Sequence, residues 1–222
     1  MTKVVLIRHG RSTANADGVL AGRAPGVALD ETGRAQATKL GRLLARAEIA
    51  AAFTSPVQRC RETATLAGFG AATVVEELSE CDYGAWTGAR LETLRGEHVW
   101  GDIQTAPSRV SFPGGESMQE MFARTSGAVR ELAGRHADAE TIVVFSHGDP
   151  IKAILADAFG MRLDDFQRLH VSPAGVSIVE YHGERPLVVC VNVVGDLASL
   201  LGSTIAPMVG GGDVANPRRL PA

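Results

Sequence analysis

The chain opens on an apolar run, Val4-Val5-Leu6-Ile7, and this pattern predicts a buried strand that stops at Arg8-His9-Gly10. From Asp30 the period changes to that of a helix. In DETGRAQATKLGRLLARAE, Ala37, Leu40, Leu43, Leu44 and Ala47 share one predicted face, and Asp30 is placed to cap it. The next apolar run, IAAAFTSP, predicts a short buried strand, with Ser55 as N-cap and Pro56 as first residue of a helix through PVQRCRETATLAG. ATVVEEL predicts a further strand. From Ser79 to Pro113 no period is sustained and Gly, Trp and polar residues abound, so this stretch reads as a lid or substrate-facing excursion.

The second half repeats the order of the first. Met118, Met121, Phe122, Val129 and Leu132 fall near helical spacing, and the apolar strand TIVVFSHG follows. It too ends in His-Gly, at His147 and Gly148, before a helix in DPIKAILADAFG. VSIVEYH and PLVVCVNVV, parted by Gly183-Glu184-Arg185, predict a hairpin. After Leu201 the periodicity is lost, so 1–201 reads as a single domain and 202–222 as a flexible tail. The GGG in that tail lacks the strand and helix of a dinucleotide fingerprint. Alternating strands and helices predict an α/β sheet covered on both faces.

Composition narrows the setting. With 222 residues, 45% of them hydrophobic, the chain suits one substantial core. A net charge of -3 without any Lys/Arg run argues against a nucleic-acid surface. Cys60, Cys81 and Cys190 are odd in number and widely spaced, which predicts reduced thiols in a cytoplasmic protein. Arg8 and His9 interrupt the only apolar run near the start, which argues against a signal peptide, and no run approaches the ~20 residues of a membrane helix. The expectation is a soluble protein with no membrane partner.

Two histidines thus end two apolar strands, where ligands collect in open α/β sheets. His98, His136, His170 and His182 lack that context and read as structural or surface residues. A metal site is the competing account for His9 and His147. It fits poorly, because Arg8 beside His9 repels a cation and no carboxylate or thiol falls at a ligand spacing. An arginine and a histidine at the end of a buried strand call instead for an anion.

LIRHGRSTAN, LDETGRAQA, SPVQRCRETA, LSECDYGAWTG and FSHGDPIKAI resemble, in order, the motifs of the histidine phosphatase superfamily, phosphoglycerate-mutase-like branch. The resemblance spans Val4 to Leu155 and continues to Val194. It implies a three-layer α/β/α sandwich around a mainly parallel sheet. It also implies metal-independent phosphomonoester hydrolysis through a phosphohistidine, on a small phosphorylated metabolite and with no cofactor.

By this resemblance His9 is the nucleophile, and His147 donates to the phosphoryl oxygens as charge develops. Arg8 and Arg59 supply guanidinium forks, Asn15 adds a phosphate contact, and the amide of Gly148 is a further candidate. Glu80 matches the general acid, with Asp82 in the same loop as the alternative. Arg11 and Ala21 depart from common members, the first adding positive potential near the mouth and the second removing a polar contact. Arg23, His98, Trp100 and Asp149 are candidates for the entrance, each equally readable as a surface or packing residue. Mutase activity is the alternative reaction, disfavoured because ECDYGAWTG stands where mutases carry ERHYG-like residues and a longer insertion. A catalytically idle phospho-ligand or protein-binding module is the third reading. The apolar hairpin from Val176 to Val194 could pair two copies into a homodimer.

Overall fold

The computed structural model describes residues 1–137, 139–183 and 185–194. The expected tail, 202–222, lies outside them. Six strands form one sheet: β1 (Thr2–Arg8), β2 (Ala51–Thr54), β3 (Thr73–Val74), β4 (Thr141–Ser146), β5 (Val176–His182) and β6 (Arg185–Val193). The helices are α1 (Thr13–Asp17), α2 (Glu31–Leu44), α3 (Gln58–Leu66), α4 (Leu91–Leu94), α5 (His98–Thr105), α6 (Met118–Gly134) and α7 (Gly148–Ala158). The strand order is β3-β2-β4-β1-β5-β6, with the first four parallel, β5 antiparallel to β1 and β6 antiparallel to β5.

Alternation along β1 builds the layers. Val4 and Leu6 face Val129, Leu132, Ile151 and Ile154 of α6 and α7. Val5 and Ile7, one residue out of phase, face Leu40 of α2 and Ala64 of α3. The result is the expected three-layer sandwich. Its register matters for function: Arg8 pairs with Ser146, so β1 and β4 end level and His9 and His147 leave the sheet side by side.

Several local expectations need correction. The buried stripe of α2 is Gly33, Ala37 and Leu40, while Leu43 is 63% exposed and Ala47 lies exposed past the helix end. Asp30 does cap α2, accepting from the amide of Gly33 at 2.7 Å. Helix α3 begins at Gln58 with Val57 as N-cap, so Ser55 is not its cap. The ATVVEEL strand is only Thr73–Val74, followed by a 3-10 turn at Glu76–Leu78. Arg185 belongs to β6 rather than to the hairpin turn.

The stretch from Ser79 to Pro113, expected as a lid or substrate-facing excursion, brings Glu80 beside Arg59 and His147 and is otherwise well packed. Tyr83, Trp86, Leu91, Leu94, Ile103 and Phe112 pack a second core with Met118, Met121 and Phe166. Its large aromatics bury area that no mobile flap could hide. The absence of a long period reflects short helices, α4 and α5, rather than disorder. Among the described residues no helix is long and apolar enough to cross a membrane.

Candidate active site

Arg8, His9, Arg59, Glu80 and His147 converge at the carboxyl ends of β1 and β4, none more than 2% exposed. The guanidinium of Arg59 lies between the two imidazoles. Its Nε donates to His9 Nε2 at 3.0 Å, and its Nη2 donates to His147 Nδ1 at 3.0 Å and to the Gly22 carbonyl at 2.9 Å. The rings stand 5.2 Å apart, centroid to centroid, at 66°.

These partners fix the tautomers. The Gly10 carbonyl, 2.7 Å from His9 Nδ1, can only accept, so Nδ1 carries the proton and Nε2 presents its lone pair to the pocket. His147 has the opposite form: Nδ1 accepts from Arg59, and Nε2–H donates to Ser55 Oγ at 2.8 Å. Both rings are held neutral, well below the usual imidazole range. For His9 the causes are burial and then the charges of Arg59 and Arg8; for His147 they are burial, Arg59 and His9.

Arg8 is anchored by Nη1 donating to the Val171 carbonyl at 2.7 Å. The loop that bears this carbonyl also ties down the backbone, since Ala174 N–H donates to the carbonyls of Arg8 and His9 at 3.1 Å each. Thr63 Oγ1 of α3 accepts from Gly10 N–H at 3.0 Å and so couples the His9 turn to the helix that carries Arg59.

Glu80 closes the pocket. Its Oε2 lies 3.9 Å from His147 Nδ1 and 4.0 Å from Arg59 Nη2, and its Oε1 accepts from Cys81 N–H at 3.0 Å. Burial first, then the nearby Asp149 carboxylate, pushes this carboxyl up to about 7 against the pull of Arg59. Near neutrality it is therefore about half protonated. Asp82 is otherwise engaged, accepting from Gly84 N–H at 3.0 Å within its own turn.

The acid loop is held by residues that the sequence does not single out. Arg124 of α6 donates to the carbonyls of Glu77, Ser79 and Glu80 and forms a two-pronged pair with Glu116. Arg23, named from the sequence as an entrance residue, donates through Nε to the Glu80 carbonyl at 2.8 Å and through Nη2 to Glu116 at 3.0 Å. These contacts span tens of residues and have no local signature. Ser55, Thr63 and Gly22 were missed for the same reason.

Other expectations divide. Asn15 is buried, but its Oδ1 is committed to Ser12 N–H and Oγ–H in a capping box, so only its N–H side could address a phosphoryl oxygen. Gly148 is buried as the first residue of α7, directly after His147. Asp149 is fully buried rather than at the entrance, His98 is exposed, and Trp100 packs partly against the second core. Arg11 adds little free charge to the mouth, because its Nε pairs with Asp30 at 2.5 Å. Gly10 seats against α2: a Cβ there would lie 2.5 Å from the Gly33 carbonyl, so its smallness lets the turn after His9 pack on that helix.

A cleft of about 880 Å³ runs along α3, lined by Arg23, Pro56, Val57, Arg61, Phe69 and Ser79 among others. It reaches the neighbours of Ser55 and Glu80 but none of the five converging side chains, which are all buried. Among the described residues no group of three or more His, Cys, Asp or Glu is arranged to hold a metal ion.

Two buried guanidiniums, two neutral imidazoles with opposed tautomers and a carboxyl with a raised pKa thus meet in one place. The chain belongs to the histidine phosphatase superfamily (branch 1), whose pattern it matches over residues 4–194. It is 29% identical over 204 residues to phosphoserine phosphatase 1 of Hydrogenobacter thermophilus, covering 87% of this chain and 93% of that one. It is 32% identical over 190 residues to the bifunctional protein Rv2228c of Mycobacterium tuberculosis, covering 82% of this chain but only 51% of that longer protein. Among solved structures, Bacillus stearothermophilus YhfR superposes with a TM-score of 0.81 at 27% identity, covering 88% of this chain and 98% of that one.

Proposed function

We propose that the protein hydrolyses phosphomonoesters of small metabolites through a phosphohistidine on His9. The observation that carries this reading is the Arg59 bridge, 3.0 Å from each imidazole, with the His9 Nε2 lone pair aimed at it. A phosphoryl dianion entering here takes over the donors of Arg59, whose Nη1 is buried without a hydrogen-bond partner among the described residues. Arg8 adds the second positive charge. Membership of the family and the likeness to a phosphoserine phosphatase support the same reaction class.

In the first step His9 Nε2 attacks phosphorus as the P–O bond to the leaving group breaks. Glu80 gives its proton to the departing oxygen, and the phosphoryl group is left on Nε2. The dianion's charge favours a protonated His147, whose Nδ1–H then addresses a phosphoryl oxygen. In the second step the Glu80 carboxylate takes a proton from water as its oxygen attacks phosphorus, which frees His9 and restores the acid. Asn15 and the Gly148 amide are supporting phosphate contacts in this scheme.

The test is a panel of phosphomonoesters in the presence of EDTA, with and without phosphorylated acceptors, on the parent and His9→Ala. Turnover in EDTA, release of inorganic phosphate and an acid-labile phosphoenzyme lost in His9→Ala are expected. Transfer only to a phosphorylated acceptor would instead assign a mutase, and label persisting in His9→Ala would move the nucleophile. The three unpaired cysteines support a cytoplasmic setting. The exposed Leu187, Val189 and Val193 of β6 support a second copy of the chain as partner.

A further inference from the structure

Behind Glu80 lies a buried polar group that the mechanism above does not use. Asp149, in the first turn of α7, is fully buried. Its Oδ2 accepts from Tyr83 Oη–H at 2.8 Å, and its Oδ1 pairs with Lys152 Nζ at 3.2 Å. Lys152 in turn donates to Gln167 Oε1 at 2.8 Å and lies 5.0 Å above the Phe166 ring. Tyr83 is three residues past Glu80 in the acid loop, and Asp149 is two residues past His147. One hydrogen bond therefore ties the element bearing the acid to the element bearing the second histidine.

We propose that Asp149 is a positioning residue for Glu80, holding the acid loop through Tyr83 and setting its own negative charge beside that loop. This inference rests on the reading of Glu80 as general acid. A buried carboxylate is costly and persists only where it is bonded and paired, as this one is. It would add nothing to a site that needed only positive charge. A site that must hold a carboxylic acid protonated among guanidiniums does need a counterweight.

The groups around Glu80 show why. From α3 come Arg59 and Cys60, from the end of β1 Arg8 and His9, and from β4 and α7 His147 and Asp149. From α6 Arg124 meets the Glu80 carbonyl, as does Arg23, and within the loop stand Cys81 and Tyr83. Arg59 and Arg8 both favour the ionised carboxylate. After burial itself, Asp149 is the largest influence in the opposite direction.

The experiment separates tether from charge. Asp149→Asn keeps an acceptor for Tyr83 but removes the charge; Tyr83→Phe keeps the charge but removes the tether. Each is compared with the parent in kcat/KM against pH, on glycerol phosphate, whose alkoxide needs the acid, and on p-nitrophenyl phosphate, which does not. Asp149→Asn is expected to shift the alkaline limb on glycerol phosphate to lower pH. A shift of about one unit lowers the protonated fraction at pH 7 from about one half to about one eleventh, roughly a fivefold loss. The nitrophenyl ester should be unaffected.

Tyr83→Phe should lower kcat on glycerol phosphate without moving the limb. If Asp149→Asn does not fold with Lys152 left behind, the Asp149→Asn/Lys152→Met double variant carries the same comparison. An unmoved limb, or equal losses on both esters, overturns the role of Asp149. A parent enzyme with no leaving-group-dependent alkaline limb overturns the acid reading of Glu80 itself, and is recognised before any variant is made.

Discussion

Replacing Arg59 by methionine tests the centre of the site. Methionine matches much of the arginine's bulk, so the packing of this α3 side chain is largely kept, while every donor in the bridge is lost. In the empty enzyme those donors face His9 Nε2, His147 Nδ1 and the Gly22 carbonyl. In the occupied enzyme two of them would meet phosphoryl oxygens. At about 1.5–3 kcal/mol for each hydrogen bond to a charged group, their loss weakens binding of an oxyanion by about 3–6 kcal/mol, or roughly 10²- to 10⁴-fold. The assay is competitive inhibition by vanadate or phosphate. Arg59→Lys should recover little, because one ammonium cannot span two imidazoles and an anion as a planar fork does. The same substitution has a signed effect on the histidines. Arg59 is the second cause, after burial, of the lowered pKa of both, so Arg59→Met should raise them and shift the acid limb of kcat/KM to higher pH. Imidazole nitrogen chemical shifts followed against pH would report it directly, and in the parent should show the Nδ1–H form for His9 and the Nε2–H form for His147. Unchanged vanadate inhibition together with unmoved histidine titrations would refute the bridge.

Two further outcomes are expected. Glu80→Gln should lose about 10²- to 10⁴-fold in kcat/KM on alkyl phosphates and far less on p-nitrophenyl phosphate, while Asp82→Asn shows no such contrast; the reverse pattern would hand the acid role to Asp82. Gly33→Ala places a Cβ 2.0 Å from the Arg11 carbonyl and should lower stability by about 1–3 kcal/mol and turnover with it, which an unchanged Tm and kcat would contradict.

The layers and the level strand ends were legible because they follow from local pattern. Val4 to Ile7 and Ile142 to Phe145 are apolar runs of similar length that each stop at a His-Gly, and in a parallel pair such runs align. What the sequence could not show depends on contacts between distant residues. The packing of Gly10 is one such case, since a glycine beside a histidine carries no sign of the Gly33 carbonyl against which it packs. Ser55-Pro56 looked like a helix start, but the serine hydroxyl is taken by His147, and the helix begins two residues beyond the proline. The irregular composition from Ser79 to Pro113 suggested a lid or substrate-facing excursion, because short helices have too few turns to display a period. Its Tyr83 and Trp86 were the better guide, since aromatics of that size must be covered.

The charge balance of the pocket links these observations to turnover. A nucleophilic imidazole must be neutral, and a general acid must be protonated, yet the guanidiniums that bind phosphate act oppositely on the two. They help the first by disfavouring imidazolium on His9, and they hinder the second by favouring carboxylate on Glu80. Burial resolves the conflict for both groups, because it disfavours every charged form at once. The cost is that, among the described residues, Arg59 meets neutral nitrogens, a carbonyl and a carboxyl at 4.0 Å. A phosphoryl dianion relieves that deficit and, by its charge, makes protonation of His147 favourable where the empty site opposed it. Departure of phosphate restores the bridge and with it the neutral His9. In the proposed cycle Arg59 is thus at once the anion's ligand and the group that resets the nucleophile, so its contacts with His9 and His147 belong to that cycle as much as those with substrate.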